Sequence, residues 1–148
     1  MQGNFISESL HEGWTLPRSR RVRDIQTALE EIGELLGEME YLASTLIVEG
    51  PRDVEALRRL GYGGRLNIYS KVSVSDAELV ESIAREASSV VILTDFDEEG
   101  RRIMGHLKHL FERNGVKVET GLRREFGRLM AAIGIYVIED LDNAAQRV

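Results

Sequence analysis

The chain has 148 residues, 43% of them apolar and 30% charged, and it contains no cysteine. That size suits one ordinary domain, or a small domain with an extension, able to bury a core without cross-links. The composition excludes a disordered chain, a disulfide framework, a thiolate zinc site and a cysteine nucleophile. No apolar run approaches the ~20 residues that a membrane span needs. Residues 1–14 lack the basic-then-apolar grammar of a secretory signal, so the cytoplasm is the expected location.

The formal net charge is −6. A uniformly acidic chain would bind nucleic acid poorly, because phosphate affinity comes mostly from Lys and Arg. The charge is uneven, however. Residues 95–99 carry four acids and no base, whereas residues 101–128 carry eight bases against three acids. An acidic knot directly before a basic stretch is the pattern of a cation-plus-phosphate site. A charged, Arg-rich chain can also produce it by chance.

In chain order, residues 1–20 show no periodicity. Arg18, Arg20, Arg21 and Arg23 form a basic cluster that fits a solvated helix start or a phosphate-contacting arm. Ile25, Leu29, Ile32, Leu36 and Met39 then make one apolar stripe, which predicts a helix over 24–42. Such a stripe packs on its own domain or serves a homodimer or protein partner. Thr45–Val48 reads as a buried parallel strand ending in Glu49-Gly50-Pro51, with Pro51 suited to a first helical turn. A helix ending near Gly61 follows, then a strand at 66–69 and a helix from Ser75 to about Glu86. The next strand, 90–93, ends in Thr94-Asp95-Phe96-Asp97-Glu98-Glu99-Gly100. A helix stopping at Asn114-Gly115 follows, then a strand at 116–119, a helix carrying Leu122, Phe126, Leu129, Met130 and Ile133, an apolar run at 135–138 and a short helix after Asp140. Strands alternating with helices predict an α/β fold with a mainly parallel sheet.

Two strand ends combine acid with glycine: Glu49-Gly50 and Asp95-x-Asp97-x-x-Gly100. Ligands of open α/β sheets bind beyond the carboxyl ends of strands, near a topological switch point. Residues two apart on an extended segment point the same way, so Asp95 and Asp97 can face one pocket, joined by Glu49 if the first and third strands are neighbours. Converging carboxylates repel, and a divalent cation is the simplest compensation. All-oxygen donors favour Mg²⁺ or Mn²⁺ over zinc and suit phosphoryl-transfer chemistry. Alternatively, Asp97 is well placed to cap the following helix, leaving the acids solvated.

Taken together, the segments 46–57 and 90–100 resemble the Toprim domain, shared by DnaG-type primases, topoisomerases, OLD-family nucleases and small ribosomal-RNA maturation nucleases. The likeness covers about residues 45–120, and the whole chain is similar to small stand-alone archaeal proteins of that family. It implies a Rossmann-like, four-stranded, mainly parallel sheet flanked by helices, preceded by an N-terminal helical extension (residues 1–44) and followed by a C-terminal one (121–148). It also implies that Glu49 is a metal ligand and general acid or base, and that Asp95 and Asp97 hold one or two Mg²⁺ ions. Asp53 matches an acid often present in the nuclease and primase branch. Phe96 stands where the topoisomerases often have proline, and Glu98 is an extra acid.

A chain of this length has no room for a topoisomerase gate or a primase's other parts. Phosphodiester hydrolysis of RNA or DNA fits it. So does a non-catalytic, metal-dependent module that binds nucleic acid or nucleotide and recruits a partner, or a structural oligomer with a vestigial acid cluster. Lys71, Arg101, Arg102, Arg123 and Arg124 are the expected nucleic-acid contacts, since Arg forks match phosphate well. Arginines balancing nearby Glu would look the same. Tyr41 and Tyr69 read as packing residues, and His106 and His109 as a solvated helix face.

Overall fold

The computed structural model describes residues 18–70 and 74–147, with side chains from residue 24 onward. Lys71 and residues 1–17 of the unpatterned lead lie outside the described residues, while 18–20 belong to the first helix. The elements run α1 (Arg18–Leu42), β1 (Thr45–Val48), α2 (Pro51–Arg59), β2 (Leu66–Ile68), α3 (Asp76–Ala84), β3 (Ser89–Ile92), α4 (Glu98–Arg113), β4 (Lys117–Val118), α5 (Thr120–Ala132) and α6 (Asp140–Gln146). Helix α1 starts six residues before the predicted 24, because Arg is a good helix former and nothing in 18–23 breaks the turn.

The four strands form one parallel sheet in the order β2-β1-β3-β4. Strand β1 is buried at every position, which is why it reads as a continuous apolar run. Its side chains still alternate in destination. Leu46 and Val48 enter a core with α1, α2, α5 and α6, while Ile47 enters a second core with α3 and α4. The chain leaves β1 toward β2 on one face and returns to β3 and β4 on the other, as right-handed crossovers require when the direction reverses. That reversal puts a switch point between β1 and β3, where Leu46 pairs with Val91 and Ile47 with Ile92. This is the fold expected from the sequence: a four-stranded parallel sheet flanked by helices with an additional N-terminal helix.

The α1 stripe is used within the chain. Ile32, Leu36 and Met39 are fully buried in the core shared with Phe126, Leu129 and Met130 of α5. A partner on α1 would therefore have to use its exposed face, which carries Glu30, Glu31, Glu34 and Glu38, rather than these residues. Tyr41 corrects another expectation, being 89% exposed rather than packed. No described helix is long and apolar enough to cross a membrane.

Candidate metal and phosphate site at the sheet switch point

Because β1 and β3 are neighbours, the residues after their carboxyl ends meet. The Asp95 N–H donates to Glu49 Oε2 at 2.8 Å. The other side of Asp95 is held by the C-terminal segment, where the Ile138 N–H donates to Asp95 Oδ1 at 2.8 Å. One residue on, the Phe96 N–H donates to the Tyr136 carbonyl at 2.7 Å. The apolar run at 135–138 is thus not merely a tail. It lies alongside residues 95–96 and brings Glu139 to the same cleft.

That cleft, of about 500 Å³, is lined by Glu49, Gly50, Asp53, Tyr69, Asp95, Glu99 and Glu139 among others. Asp53 is buried, and its Oδ2 accepts from the Gly50 N–H at 3.1 Å, closing the first turn of α2. Burial pushes its pKa up, helped by the charges of Glu49 and Glu139 and opposed by the backbone hydrogen bond. Asp95 is shifted further, to about 6. Burial is the leading cause, the Ile138 hydrogen bond opposes it, and the charges of Glu49, Asp53 and Asp97 add to it. Tyr69 is half-buried, and its hydroxyl donates to Asp76, which also meets His106 Nε2 at 3.2 Å. His106 thus stands beside a carboxylate on a half-exposed helix face.

Asp97 follows the capping alternative. Its Oδ1 accepts from the Gly100 N–H at 2.8 Å at the start of α4, and it does not line the cleft. Its charge still reaches Asp95. Gly100 is required here: an added Cβ would collide with the Asp95 carbonyl. The Thr94 hydroxyl donates to the Gly100 carbonyl at 2.7 Å, locking α4 against the end of β3. Gly50 is different. Its backbone is extended and a Cβ would meet only Ser70 Oγ at 3.8 Å, so neither strain nor packing demands glycine there.

Two of the expected phosphate contacts, Arg123 and Arg102, are engaged within the chain. Arg123 is buried and spends its guanidinium on the chain. It donates to the carbonyls of Ile92 at 2.9 Å, Thr94 at 2.8 Å and Asp95 at 3.0 Å, which lets it close the open end of β3. Burial lowers its pKa to about 10, with Asp95 and Glu49 pulling the other way. Arg102 is engaged with Glu99 at 2.6 Å. Arg101 donates to the Phe96 carbonyl at 2.6 Å and, like Arg124, remains exposed. Sequence reasoning did not find Glu139, or the Ile138 amide. A β-branched run followed by an acid was visible, but no local signal names the strand end it pairs with.

The donor set suits a hard divalent cation in kind, since Mg²⁺ takes one or two carboxylates and keeps waters. Glu49 and Asp95 each use one oxygen on a backbone N–H and retain the other. Among the described residues, no group of three or more His, Cys, Asp or Glu side chains is gathered closely enough to hold a metal ion. The fit is to a two-carboxylate site, not to an enclosed cage.

The chain is similar to UPF0292 proteins of several organisms. It is 37% identical to that of Methanocaldococcus jannaschii, over 72% of this chain and 80% of the relative. It is 39% identical to that of Methanosarcina barkeri, over 76% and 79%. Against that of Pyrococcus abyssi the identity is 34%, over 77% and 83%. A solved structure of an Aquifex aeolicus protein shares the fold, with a TM-score of 0.55, 23% identity, and coverage of 84% of this chain and 99% of that one. The model of the Toprim domain matches residues 44–129, the span holding both acidic strand ends, and the chain belongs to the Toprim family.

Proposed function

We propose that the protein is an Mg²⁺-dependent phosphodiesterase acting on nucleic acid. Toprim domains generally use divalent metals and associate with nucleic acid, and family membership brings that expectation to this chain. The observation that carries the reading is the meeting of Glu49 and Asp95 across the β1–β3 switch point, in a cleft that raises the pKa of Asp95 to about 6. A carboxylate kept in that state has a use for a cation or a proton, and both serve phosphoryl chemistry.

When bound, a divalent cation supplies charge neutralisation to the phosphate and to the oxygen that leaves it. Glu49 and Asp95 would hold it through their remaining oxygens, with Asp97 contributing charge from the N-cap of α4. Glu49, which lines the cleft, would accept a proton from an attacking water. Asp53 orients the Gly50 turn, and through it Glu49. Gly50, free of any steric demand, leaves the floor open for a phosphate to approach the backbone.

The absence of a preformed three-ligand cluster among the described residues favours a second reading. In it, the same acids bind metal only together with nucleic acid, and the protein holds its target without cutting it. Calorimetric titration of Mg²⁺ and Mn²⁺, with and without an RNA or DNA oligonucleotide, separates the two when run beside a cleavage assay. The hydrolytic reading expects metal-dependent cleavage that disappears in Asp95→Asn and Glu49→Gln while the fold persists. Cleavage undiminished in both variants would remove these residues from the mechanism. Metal-dependent binding with no product would select the binding module.

A further inference from the structure

Successive residues on an extended segment face opposite ways, and Asp95 and Phe96 line two different clefts. Asp95 faces the acidic one. Phe96 faces a second cleft of about 430 Å³, whose lining includes Arg101, Arg123, Arg124, Gly127 and Tyr136 and contains no carboxylate. In a chain of net charge −6 this segregation is notable. Arg102 and Arg128, close by in sequence, are neutralised by Glu99 and Glu125. Arg101 and Arg124 have no carboxylate partner among the described residues, and both are exposed.

The floor of this cleft is rigid and aromatic. Phe96 stacks on Phe126 with centroids 6.3 Å apart, and the Arg123 guanidinium covers its ring at 4.1 Å. Gly127 makes this possible, because a Cβ there would meet the Phe96 ring at 2.6 Å. Tyr136 forms the rim. It is 51% exposed, although its backbone is pinned by the Phe96 amide. Two exposed guanidinium forks beside a fixed ring and an exposed ring are the components of a site for an unpaired nucleotide: forks for phosphate, the exposed aromatic face for a base.

We propose that this cleft binds one unpaired nucleotide of a single-stranded nucleic-acid segment. Its base lies against Tyr136, its phosphate lies on Arg101 and Arg124, and the adjoining phosphodiester falls on the Asp95 side of the shared backbone. The last clause rests on the proposed hydrolytic function; the binding itself does not.

The test is fluorescence anisotropy of a short labelled single-stranded oligonucleotide in chelator, which isolates the cleft from any metal. Tyr136→Ala is expected to weaken binding about fivefold or more, the loss of one base-stacking contact. Arg124→Ala is expected to weaken it and to reduce the slope of log affinity against log salt by about one. Arg113→Ala, at the far end of α4, removes the same charge and is expected to leave both unchanged. Thermal melts of all three variants, at positions exposed or half-exposed, check that they fold. Unchanged affinity in Tyr136→Ala and Arg124→Ala would overturn the proposal. So would a duplex binding as well as the single strand, and so would adenosine monophosphate binding as tightly as the oligonucleotide. Binding that depends on Arg124 and Tyr136 in a protein that never cuts with Mg²⁺ would sink the hydrolytic reading alone. Cleavage that depends on Asp95 but is indifferent to both variants would sink the cleft alone.

Discussion

The amide of Ile138 donates to the carboxylate of Asp95, a contact between the end of the third strand and a segment more than forty residues later. Ile138 is itself fully buried in the core that α1, α2, α5 and α6 form on one face of the sheet. Its side chain anchors the segment whose backbone positions Asp95. Ile138→Ala is expected to lower stability by about 2–5 kcal/mol, as for other fully buried aliphatic truncations. Urea denaturation measures it, with the midpoint falling and the slope unchanged. A loss below about 1 kcal/mol would mean that this segment is not part of the cooperative unit.

Asp95 is a cost to the fold in the absence of cation. Its carboxylate is partly buried among Glu49, Asp53 and Asp97. Asparagine keeps the acceptor for the Ile138 amide and removes the charge. At neutral pH in chelator, Asp95→Asn is expected to be more stable than the wild type by about 1 kcal/mol, reversing the usual sign of a point mutation. Thermal unfolding of both proteins checks this, and a less stable variant would show that the carboxylate is compensated in some other way.

Arg123 separates a structural from a ligand-binding role. Its three donations go to the carbonyls of Ile92, Thr94 and Asp95, which a single ammonium cannot serve with the geometry of the fork. Arg123→Lys keeps the charge but not the fork, and is expected to cost about 2–3 kcal/mol. A phosphate-contacting arginine would behave in the opposite way, with stability preserved and oligonucleotide affinity reduced. Measuring both on the same variant decides between them.

Tyr62 carries a pH dependence. Burial, with the charge of Glu40 adding to it and Arg58 opposing, pushes its pKa up to about 12. Its hydroxyl donates to the Arg65 carbonyl at 2.9 Å. The folded state therefore holds this proton more tightly than the unfolded chain, whose tyrosines titrate near 10. The resulting stability is fully present below pH ~10 and is lost as pH rises toward 12. Tyr62→Phe is expected to be about 1 kcal/mol less stable at pH 8, the worth of one hydrogen bond, with the difference shrinking above pH ~10. Chemical denaturation across that range tests it.

Much of the framework was readable because it rests on short-range rules. A wholly apolar four-residue run marks β1, alternation of strands and helices marks the parallel sheet, and an acid with glycine after each of two strands marks the switch point. What escaped was whatever depends on a partner remote in sequence. Arg123 looks like its neighbour Arg124 in the chain. Only the packing of α5 against the end of β3 makes one a buried clasp and leaves the other in solvent. Asp97 carried two readings until the start of α4 was placed, and the cap drew its carboxylate away from the cleft. Glu139 could not be seen at all, since its position follows from a backbone pairing between residues 136–138 and 95–96 that no periodicity encodes.

That pairing has a consequence for how the protein comes into being. Glu49, Asp95 and Ile138 span about ninety residues of chain, and the third of them leaves the ribosome last. At a synthesis rate of about 5–20 residues per second, several seconds separate the first acid from the amide that holds the second. Until that amide arrives, the Asp95 side chain lacks one of its fixed hydrogen-bond partners, and the nascent protein carries its acids without the geometry that gives them a shared use.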